Sequence, residues 1–302
     1  MSALSFSGEH LSVGDRLSHF RFYWAVLALG MLVVSVLRKR WIAAVVAGAL
    51  LPIHAFPVVA LWMPGDRIPP SSENKFRLNV VSANLYANNA RKSEAVAKLM
   101  ELFPDVLVLL EVSPAWRPAL APVVETYPHK IGMDGSIWLL SRHPLRLAQR
   151  TRMKSAFSGE LEPLLEVTAI VAGSAIRVVA IHAPRPTGAA MIAQQRNQAN
   201  DYTLALNRDK DAPHRILIGD FNTSPFSGVF RHIVQTTGLK DTSKGRGYHP
   251  TWGPRLPEEP LLPWLGIPID HAFVSERVAV MQRRVEKMPG SDHRYQQLTV
   301  SF

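Results

Sequence analysis

Two long apolar segments lie near the start of the chain. Residues 22–37 are almost wholly apolar, three basic residues follow at 38–40, and residues 41–63 are apolar apart from His54. The second segment is long enough for a helix to cross a hydrocarbon layer about 30 Å thick, whereas the first needs flanking residues to do so. The pattern predicts two transmembrane helices, at about residues 20–37 and 41–63, joined by a basic turn.

A cleaved signal peptide is the competing interpretation of these segments. The apolar region is too long for one and lacks a small-residue cleavage site. Because basic residues favour the cytoplasmic side of a membrane, the turn is predicted to lie inside and both chain ends outside. The sequence therefore predicts a multi-pass anchor in the bacterial cytoplasmic (inner) membrane at residues 1–65, a Pro- and Ser-rich linker at 66–75 and an extracytoplasmic domain at 76–302.

From residue 76 onward, short β-rich runs alternate with helical stretches. Residues 76–81 predict a strand, 90–103 an amphipathic helix and 106–110 a fully buried strand. Further strands are predicted at 137–140, 164–171, 176–181, 216–218, 269–275 and 298–302, and a second long helix at 189–206. Many strands with few long helices favour a mixed α/β domain in which two sheets pack together with helices outside.

Composition narrows the class of partner without identifying it. The chain has a net charge of +10 and contains no cysteine. The positive charge favours anionic partners, and nucleic acid, phospholipid headgroups and phosphorylated small molecules all satisfy this condition. The absence of cysteine is consistent with a bacterial extracytoplasmic domain.

Polar side chains stand where several of the predicted strands begin or end. They are Asn84, Glu111, His182, Asp220, Asn222, Asp270, Asp292 and His293. Any one of them is as often a turn former, but together they are types that bind a hard cation and move a proton. Asn84, Glu111 and Asp292 carry oxygens suited to Mg²⁺, and His293 is suited to a general base or a phosphate contact.

The same residues fall into motifs that resemble those of the endonuclease/exonuclease/phosphatase superfamily, which includes DNase I-like nucleases. In chain order the motifs are Ser82-Ala83-Asn84, Leu109-Leu110-Glu111-Val112, Ala180-Ile181-His182, Ile218-Gly219-Asp220-Phe221-Asn222, Ile269-Asp270-His271 and Ser291-Asp292-His293. The resemblance spans about residues 77–302. It implies a four-layered α/β sandwich, two mixed sheets flanked by helices, with the site at one edge of the sheets.

The resemblance also implies roles for individual residues. Asn84, Glu111 and Asp292 would hold Mg²⁺, with Mn²⁺ as a possible substitute. His293 would be the catalytic histidine, oriented by Asp270. Asp220 and Asn222 would position the attacking water and the phosphate, and His182 would donate to a phosphate oxygen. The implied reaction is in-line attack of water on phosphorus.

Two further residues refine this expectation. Arg185 follows His182 by three positions in a Pro-flanked loop and is predicted to bind substrate phosphate, although a surface charge explains it equally well. Tyr86 stands where many nucleases of the superfamily carry an acidic residue. The loss of that carboxylate favours a single metal ion.

Three function classes follow from the sequence. The leading hypothesis is a membrane-anchored phosphoesterase that acts on an envelope lipid phosphate or phosphodiester, with the bilayer as its partner and no obligate protein partner. The second is an extracytoplasmic nuclease, for which Lys240, Lys244, Arg246 and Arg255 offer a basic cluster. The third, a noncatalytic binding module on the same fold, is disfavoured by the full set of candidate catalytic residues.

Overall fold

The computed structural model describes residues 12–65, 76–155, 159–209, 211–253 and 265–302, without the side chains of Ser12 and residues 147–163. The predicted linker at 66–75 lies outside the described residues, as does Arg255 of the basic cluster. The division into an anchor, a linker and a C-terminal domain therefore stays a prediction. We use "C-terminal domain" below for residues 76–302.

Three helices precede the C-terminal domain. They are α1 (Ser12–Ser18), α2 (Arg21–Leu37) and α3 (Trp41–Val59), and α2 packs along α3 as a hairpin. By length and composition α3 is able to cross a membrane, whereas α2 is a shorter apolar helix. The second helix was expected to continue to residue 63, but it ends at Val59 and the chain turns through residues 60–63. Helix α1 was not predicted.

The C-terminal domain contains two six-stranded sheets. The strands are β1 (Arg77–Asn84), β2 (Val106–Leu110), β3 (His129–Ile131), β4 (Trp138–Ser141), β5 (Leu145–Ser155), β6 (Gly159–Val171), β7 (Ser174–His182), β8 (His214–Asp220), β9 (Lys240–Asp241), β10 (Asp270–Val274), β11 (Ala279–Lys287) and β12 (Arg294–Ser301). Their order is β11-β12-β1-β2-β4-β3 in the first sheet and β5-β6-β7-β8-β10-β9 in the second. The helices are α4 (Lys92–Leu102), α5 (Ala121–Glu125), α6 (Ala189–Asn207) and α7 (Gly228–Thr237).

The side chains of the buried strands point alternately to the two faces of each sheet, and this alternation produces the layers of the sandwich. In β2, Val106 and Val108 face the core between the sheets, whereas Leu107 and Leu109 face the outer layer that contains α4. Because successive strand residues point to opposite faces, a strand that is apolar throughout must be covered on both sides. Helices α6 and α7 cover the outer face of the second sheet in the same way. The predicted four-layered α/β sandwich is confirmed.

The strand register brings the candidate residues to one edge. Parallel pairing of β1 with β2 sets Asn84 opposite Leu110, directly before Glu111. In the second sheet, β7 and β8 are parallel and set His182 opposite Asp220, while antiparallel β10 sets Asp270 opposite Asp220. The two sheets therefore end in a shared group of polar side chains.

Candidate active site

Asn84 lies at the centre of this group. Its Nδ2 atom lies 3.1 Å from Oε1 of Glu111, 3.2 Å from Oδ2 of Asp220 and 3.5 Å from Nε2 of His293. Its Oδ1 atom accepts a hydrogen bond of 3.1 Å from the backbone N–H of Tyr86. In this arrangement the amide directs its donor at the carboxylates, so it holds Glu111 and Asp220 together. The expected role of its oxygen as a metal ligand stays a prediction.

His293 and Asp270 form a buried pair. Nδ1 of His293 lies 2.9 Å from Oδ2 of Asp270, and Nε2 lies 3.7 Å from Oδ2 of Asp220. Burial opposes protonation of the imidazole, but the carboxylates of Asp270 and Asp220 outweigh it and raise the pKa of His293 to about 10. The two carboxylates therefore favour the protonated ring, and Asp270 lies where the sequence predicts the residue that orients it.

Asp220 is the carboxyl group at the bottom of the site. Burial and the negative charge of Asp270 raise its pKa above the ordinary value, while His293 and the N–H of Asn222 act in the opposite direction. Its Oδ1 accepts that N–H at 2.8 Å. A carboxyl whose pKa is raised toward neutrality, beside a cationic imidazole, is suited to accept a proton from water.

Glu111 stays ionised at the open side of the group. Burial alone would raise its pKa, but His182, the N–H of Ala87 and the amide of Asn84 outweigh it and lower the pKa. Its Oε1 lies 3.8 Å from both Nε2 of His182 and a guanidinium nitrogen of Arg185. The structure therefore brings Arg185 to the edge of the site, and its expected contact with substrate phosphate stays a prediction.

His182 and Asn222 complete the second-sheet side of the edge. Nε2 of His182 lies 4.0 Å from Oδ2 of Asp220, and burial lowers the pKa of His182. The amide of Asn222 donates to the carbonyl of Ala183 at 2.8 Å and so ties the two neighbouring loops together. Because its side chain donates to backbone and its own N–H donates to the carboxylate of Asp220, Asn222 supports the site in this geometry.

Backbone strain is concentrated at the same edge. Tyr86, Glu111 and Asn222 have positive φ values of 60°, 58° and 49°. Such values are uncommon for residues with a Cβ, and the surrounding hydrogen bonds must hold them in place. All three lie one or two residues after a strand of the site edge, so the strain lies in the turns that aim its side chains.

Asp292 occupies a separate corner beside His293. Its Oδ2 accepts a 3.2 Å hydrogen bond from the indole of Trp252, and its Oδ1 is buried without a hydrogen-bond partner among the described residues. The backbone of Trp252 also bridges to His293 and to Ile267. The predicted metal ligands Asn84 and Glu111 thus touch one another, whereas Asp292 contacts Trp252.

The donor set fits a hard divalent cation. Asp220, Asp270 and His293 offer ligand atoms within 4.8 Å of one another, but the imidazole is paired with Asp270, whose charge favours the protonated ring. The carboxylate of Glu111, whose pKa is lowered and whose side chain lines the cavity, and the unpartnered oxygen of Asp292 are better donors, since Mg²⁺ and Mn²⁺ prefer carboxylate oxygens.

A cavity of about 480 Å³ opens in front of Glu111 and His182. Its wall also includes Ser113 and Arg117, whose guanidinium donates to the carbonyl of Asp134 at 2.9 Å. Arg117 adds a cation beside the expected phosphate position. Sequence reasoning missed it because an arginine in an irregular segment carries no motif signal.

Comparison with known proteins agrees with this geometry. The sequence profile of the endonuclease/exonuclease/phosphatase family matches residues 81–293, which include every candidate site residue. The chain belongs to this family. Family membership and the acid–base site support phosphoester hydrolysis as the reaction class.

Solved structures share the family's fold with this chain. One is an endonuclease/exonuclease/phosphatase from Beutenbergia cavernae, with 21% identity, a TM-score of 0.57 and coverage of 75% of this chain and 72% of that chain. Beta toxin from Staphylococcus aureus with bound magnesium ions has 14% identity, a TM-score of 0.55 and coverage of 74% and 99%. Sphingomyelinase C from Streptomyces griseocarneus has 16% identity, a TM-score of 0.52 and coverage of 74% and 99%. A comparison with curated protein sequences found no match.

Proposed function

We propose that this chain is a divalent-metal-dependent phosphoesterase that hydrolyses a phosphoester of a membrane amphiphile by in-line attack of water. The observation that supports the hydrolase is the buried His293–Asp270 pair, which lies beside Asp220 and Asn84. Asn84 in turn contacts Glu111, and Glu111 lines the cavity. The magnesium ions bound to beta toxin support Mg²⁺ as the cation, with Mn²⁺ as a substitute.

The charge distribution assigns complementary roles to the acid–base groups. Asp220 accepts a proton from the attacking water, because its raised pKa makes it a competent base near neutral pH. His293 is cationic and His182 lies at the open side, so both donate to oxygens of the phosphoryl group. A divalent cation held by Glu111 and Asp292 would neutralise the charge that develops on phosphorus-bound oxygens. Arg185 and Arg117 bind the substrate phosphate.

The lipid substrate class is supported by the apolar hairpin α2–α3. Large apolar side chains such as Ile42, Val45 and Leu37 are strongly exposed on it, as on a surface that meets hydrocarbon. The hairpin contacts the C-terminal domain directly, so the site is held close to the surface in which the hairpin inserts. We place the protein in the bacterial cytoplasmic membrane as a multi-pass protein, with the C-terminal domain outside.

A second cavity favours an amphiphile over a small soluble ester. It measures about 460 Å³ and lies between the hairpin and the C-terminal domain. Phe22 and Trp62 line it from one side, and Tyr248, Pro250 and Arg294 from the other. Aromatic walls with one cation are typical of sites for an apolar group that carries an anionic end.

The nuclease hypothesis is the second candidate. Lys240, Lys244 and Arg246 line a cavity of about 220 Å³, but Arg246 already donates to the carbonyls of Thr242 and Val280. Of the three described members of this basic cluster, Arg246 therefore has a structural role. The complete acid–base site also argues against the third class, a noncatalytic binding module.

The test uses the full-length protein in detergent micelles, with Mg²⁺, Mn²⁺ or a chelator. Phosphate or headgroup release from phospholipid and polyprenyl phosphate is measured beside cleavage of single- and double-stranded DNA. His293→Gln is compared with His129→Gln, which changes a histidine on the edge strand β3. Metal-dependent release from lipid that is lost only in His293→Gln supports the proposal. Cleavage of DNA alone would replace it with the nuclease.

A further inference from the structure

The segment before the apolar hairpin packs into the C-terminal domain. We call residues 12–23 the N-terminal arm. Two of its ionisable side chains, Asp15 and His19, are almost completely buried, although neither belongs to the acid–base site. Their polar contacts reach the loop that follows Asn222, and Tyr23 of the same arm reaches the segment that precedes Asp270. This is unexpected for a simple membrane tether, which needs no specific contact with the domain it anchors.

One set of hydrogen bonds from the N-terminal arm reaches the loop that follows Asn222. Nδ1 of His19 accepts the backbone N–H of Ser224 at 3.2 Å and lies 2.9 Å from its hydroxyl. Oδ1 of Asp15 accepts the N–H of Gly228, the first residue of α7, at 2.8 Å. The arm thus supplies acceptors for the backbone of residues 222–228, which begin with a site residue and end at a helix N-terminus.

A second set of hydrogen bonds from the N-terminal arm reaches the segment that precedes Asp270. The hydroxyl of Tyr23 donates to the carbonyl of Gly266 at 3.0 Å and accepts the N–H of Gly266 at 2.6 Å. The next residue, Ile267, pairs with Trp252, whose indole in turn donates to Asp292. A short chain of hydrogen bonds therefore joins the arm to the corner of the site that holds Asp292.

From this geometry we propose that the N-terminal arm positions the catalytic site, with His19 and Tyr23 as positioning residues. His19 acts through the 222–228 loop on Asn222, and Tyr23 acts through Gly266 and Trp252 on Asp292. The proposal rests on the proposed function, since the site that is positioned is the hydrolytic one. Displacements near 1 Å of groups that orient a reaction lower its rate by up to about 10²-fold, so loss of these contacts lowers the turnover rate.

The experiment uses the full-length protein in detergent with Mg²⁺ and a soluble chromogenic diester, bis(4-nitrophenyl) phosphate, so that membrane access has no influence. His19→Leu removes the acceptor, whereas His19→Asn places an oxygen where Nδ1 lies. We expect kcat to fall at least fivefold in His19→Leu with KM within twofold, and to stay within twofold of the wild-type value in His19→Asn. Tyr127→Phe is the control, because it removes a buried hydrogen bond to Pro104 in the first-sheet outer layer.

Two kinetic outcomes overturn the proposal. One is a kcat of His19→Leu within twofold of the wild-type value. The other is an equal loss of kcat in His19→Leu, His19→Asn and Tyr127→Phe that follows their thermal unfolding midpoints, because that pattern reports general destabilisation.

A second readout separates this inference from the proposed function. Amide hydrogen exchange is measured by mass spectrometry for peptides that cover residues 222–228 and, as a reference, 106–110. Faster exchange only at 222–228 in His19→Leu supports positioning even if the wild-type protein leaves the diester intact, a result that would count against the proposed function alone. Unchanged exchange at 222–228 overturns the positioning role.

Discussion

Nδ1 of His293 lies 2.9 Å from Oδ2 of Asp270, and both side chains are almost completely buried. One comes from the turn before β12 of the first sheet and the other from the start of β10 of the second. The pair therefore forms only when the two sheets are packed in the native register. The acid–base chemistry of the site is in this way coupled to the assembly of the whole sandwich.

Replacing Asp270 by Asn is expected to lower kcat by roughly 10²–10⁴-fold, because the amide loses both the charge and the control of the imidazole tautomer. Asp270 raises the pKa of His293, so its loss lowers that pKa. If the protonated imidazole is the active form, the alkaline limb of the pH–rate profile then moves to lower pH. A profile of unchanged shape would contradict this assignment. Asp211→Asn, a change on the surface before β8, serves as the matched control.

Replacing Glu111 by Gln is expected to raise the Mg²⁺ concentration for half-maximal activity about tenfold or more, because a neutral amide is a weaker ligand for a hard cation. Titration of activity with Mg²⁺ and with Mn²⁺ measures the change. Glu101→Gln alters an exposed glutamate on α4 and should leave the titration unchanged. An unaltered metal requirement in Glu111→Gln would remove this residue from the metal site.

Acid is expected to weaken packing of the N-terminal arm through His19. Burial, with a smaller effect of His271, lowers the pKa of His19 from 6.5 to about 4. The folded protein therefore prefers the neutral ring, and this stability is present above pH 6.5 and is lost as the pH falls toward 4. At pH 4.5 the loss amounts to about 2–3 kcal/mol.

Thermal unfolding of the wild-type protein and of His19→Asn at pH 7 and pH 4.5 measures this effect. The wild-type midpoint should fall further on acidification, because asparagine does not titrate. Burial raises the pKa of the neighbouring Asp15, which has the opposite pH dependence, and its carboxylate lies 4.0 Å from His19. The double variant His19→Asn/Asp15→Asn, measured beside Asp15→Asn, therefore isolates the contribution of His19. Equal falls in the two midpoints would show that His19 does not titrate in this range.

Replacing Gly219 by Ala is expected to destabilise the second sheet by roughly 3 kcal/mol. Gly219 has a φ of 143°, and a Cβ there would lie 2.0 Å from the carbonyl oxygen of Ile181. Because Gly219 is paired with β7 just before Asp220, the change should lower both the unfolding midpoint and kcat. Gly188→Ala is the control, since a Cβ at Gly188 meets open space. A midpoint within 1 °C of the wild-type value would contradict the steric argument.

The sequence was most informative where burial imposes a strict pattern. The strand at 106–110 was predicted with its observed bounds, since a run of five aliphatic residues is too short for a typical helix and is typical of a buried strand. Strand β11 was missed because it lies at the edge of its sheet and carries polar residues on both faces. Helix α7 was missed because it begins with glycine, and its N-cap Ser227 lies in a segment that resembles a loop.

The motifs named the residues that the structure brings together, and of their mutual contacts they predicted only the one between Asp270 and His293. Nothing in the local sequence indicates that Trp252 binds Asp292 or that Asn84 presents its nitrogen to two carboxylates. These contacts join residues that are 27, 40 and 136 positions apart in the chain, and only tertiary packing brings them together. The contact between the arm and the Ser224 loop escaped prediction for the same reason.

The carbonyl of Leu61 accepts the N–H groups of both Gly245 and Gly247, so the C-terminal end of the hairpin is fastened to the domain as the N-terminal arm is. With both ends of the hairpin held, rotation of the C-terminal domain about the hairpin is restricted. If the hairpin lies in a membrane, as proposed above, such a hydrolase would encounter its substrate by lateral diffusion within a plane. Its rate would then follow the mole fraction of substrate in the bilayer, and dilution with inert lipid would slow it at constant bulk concentration.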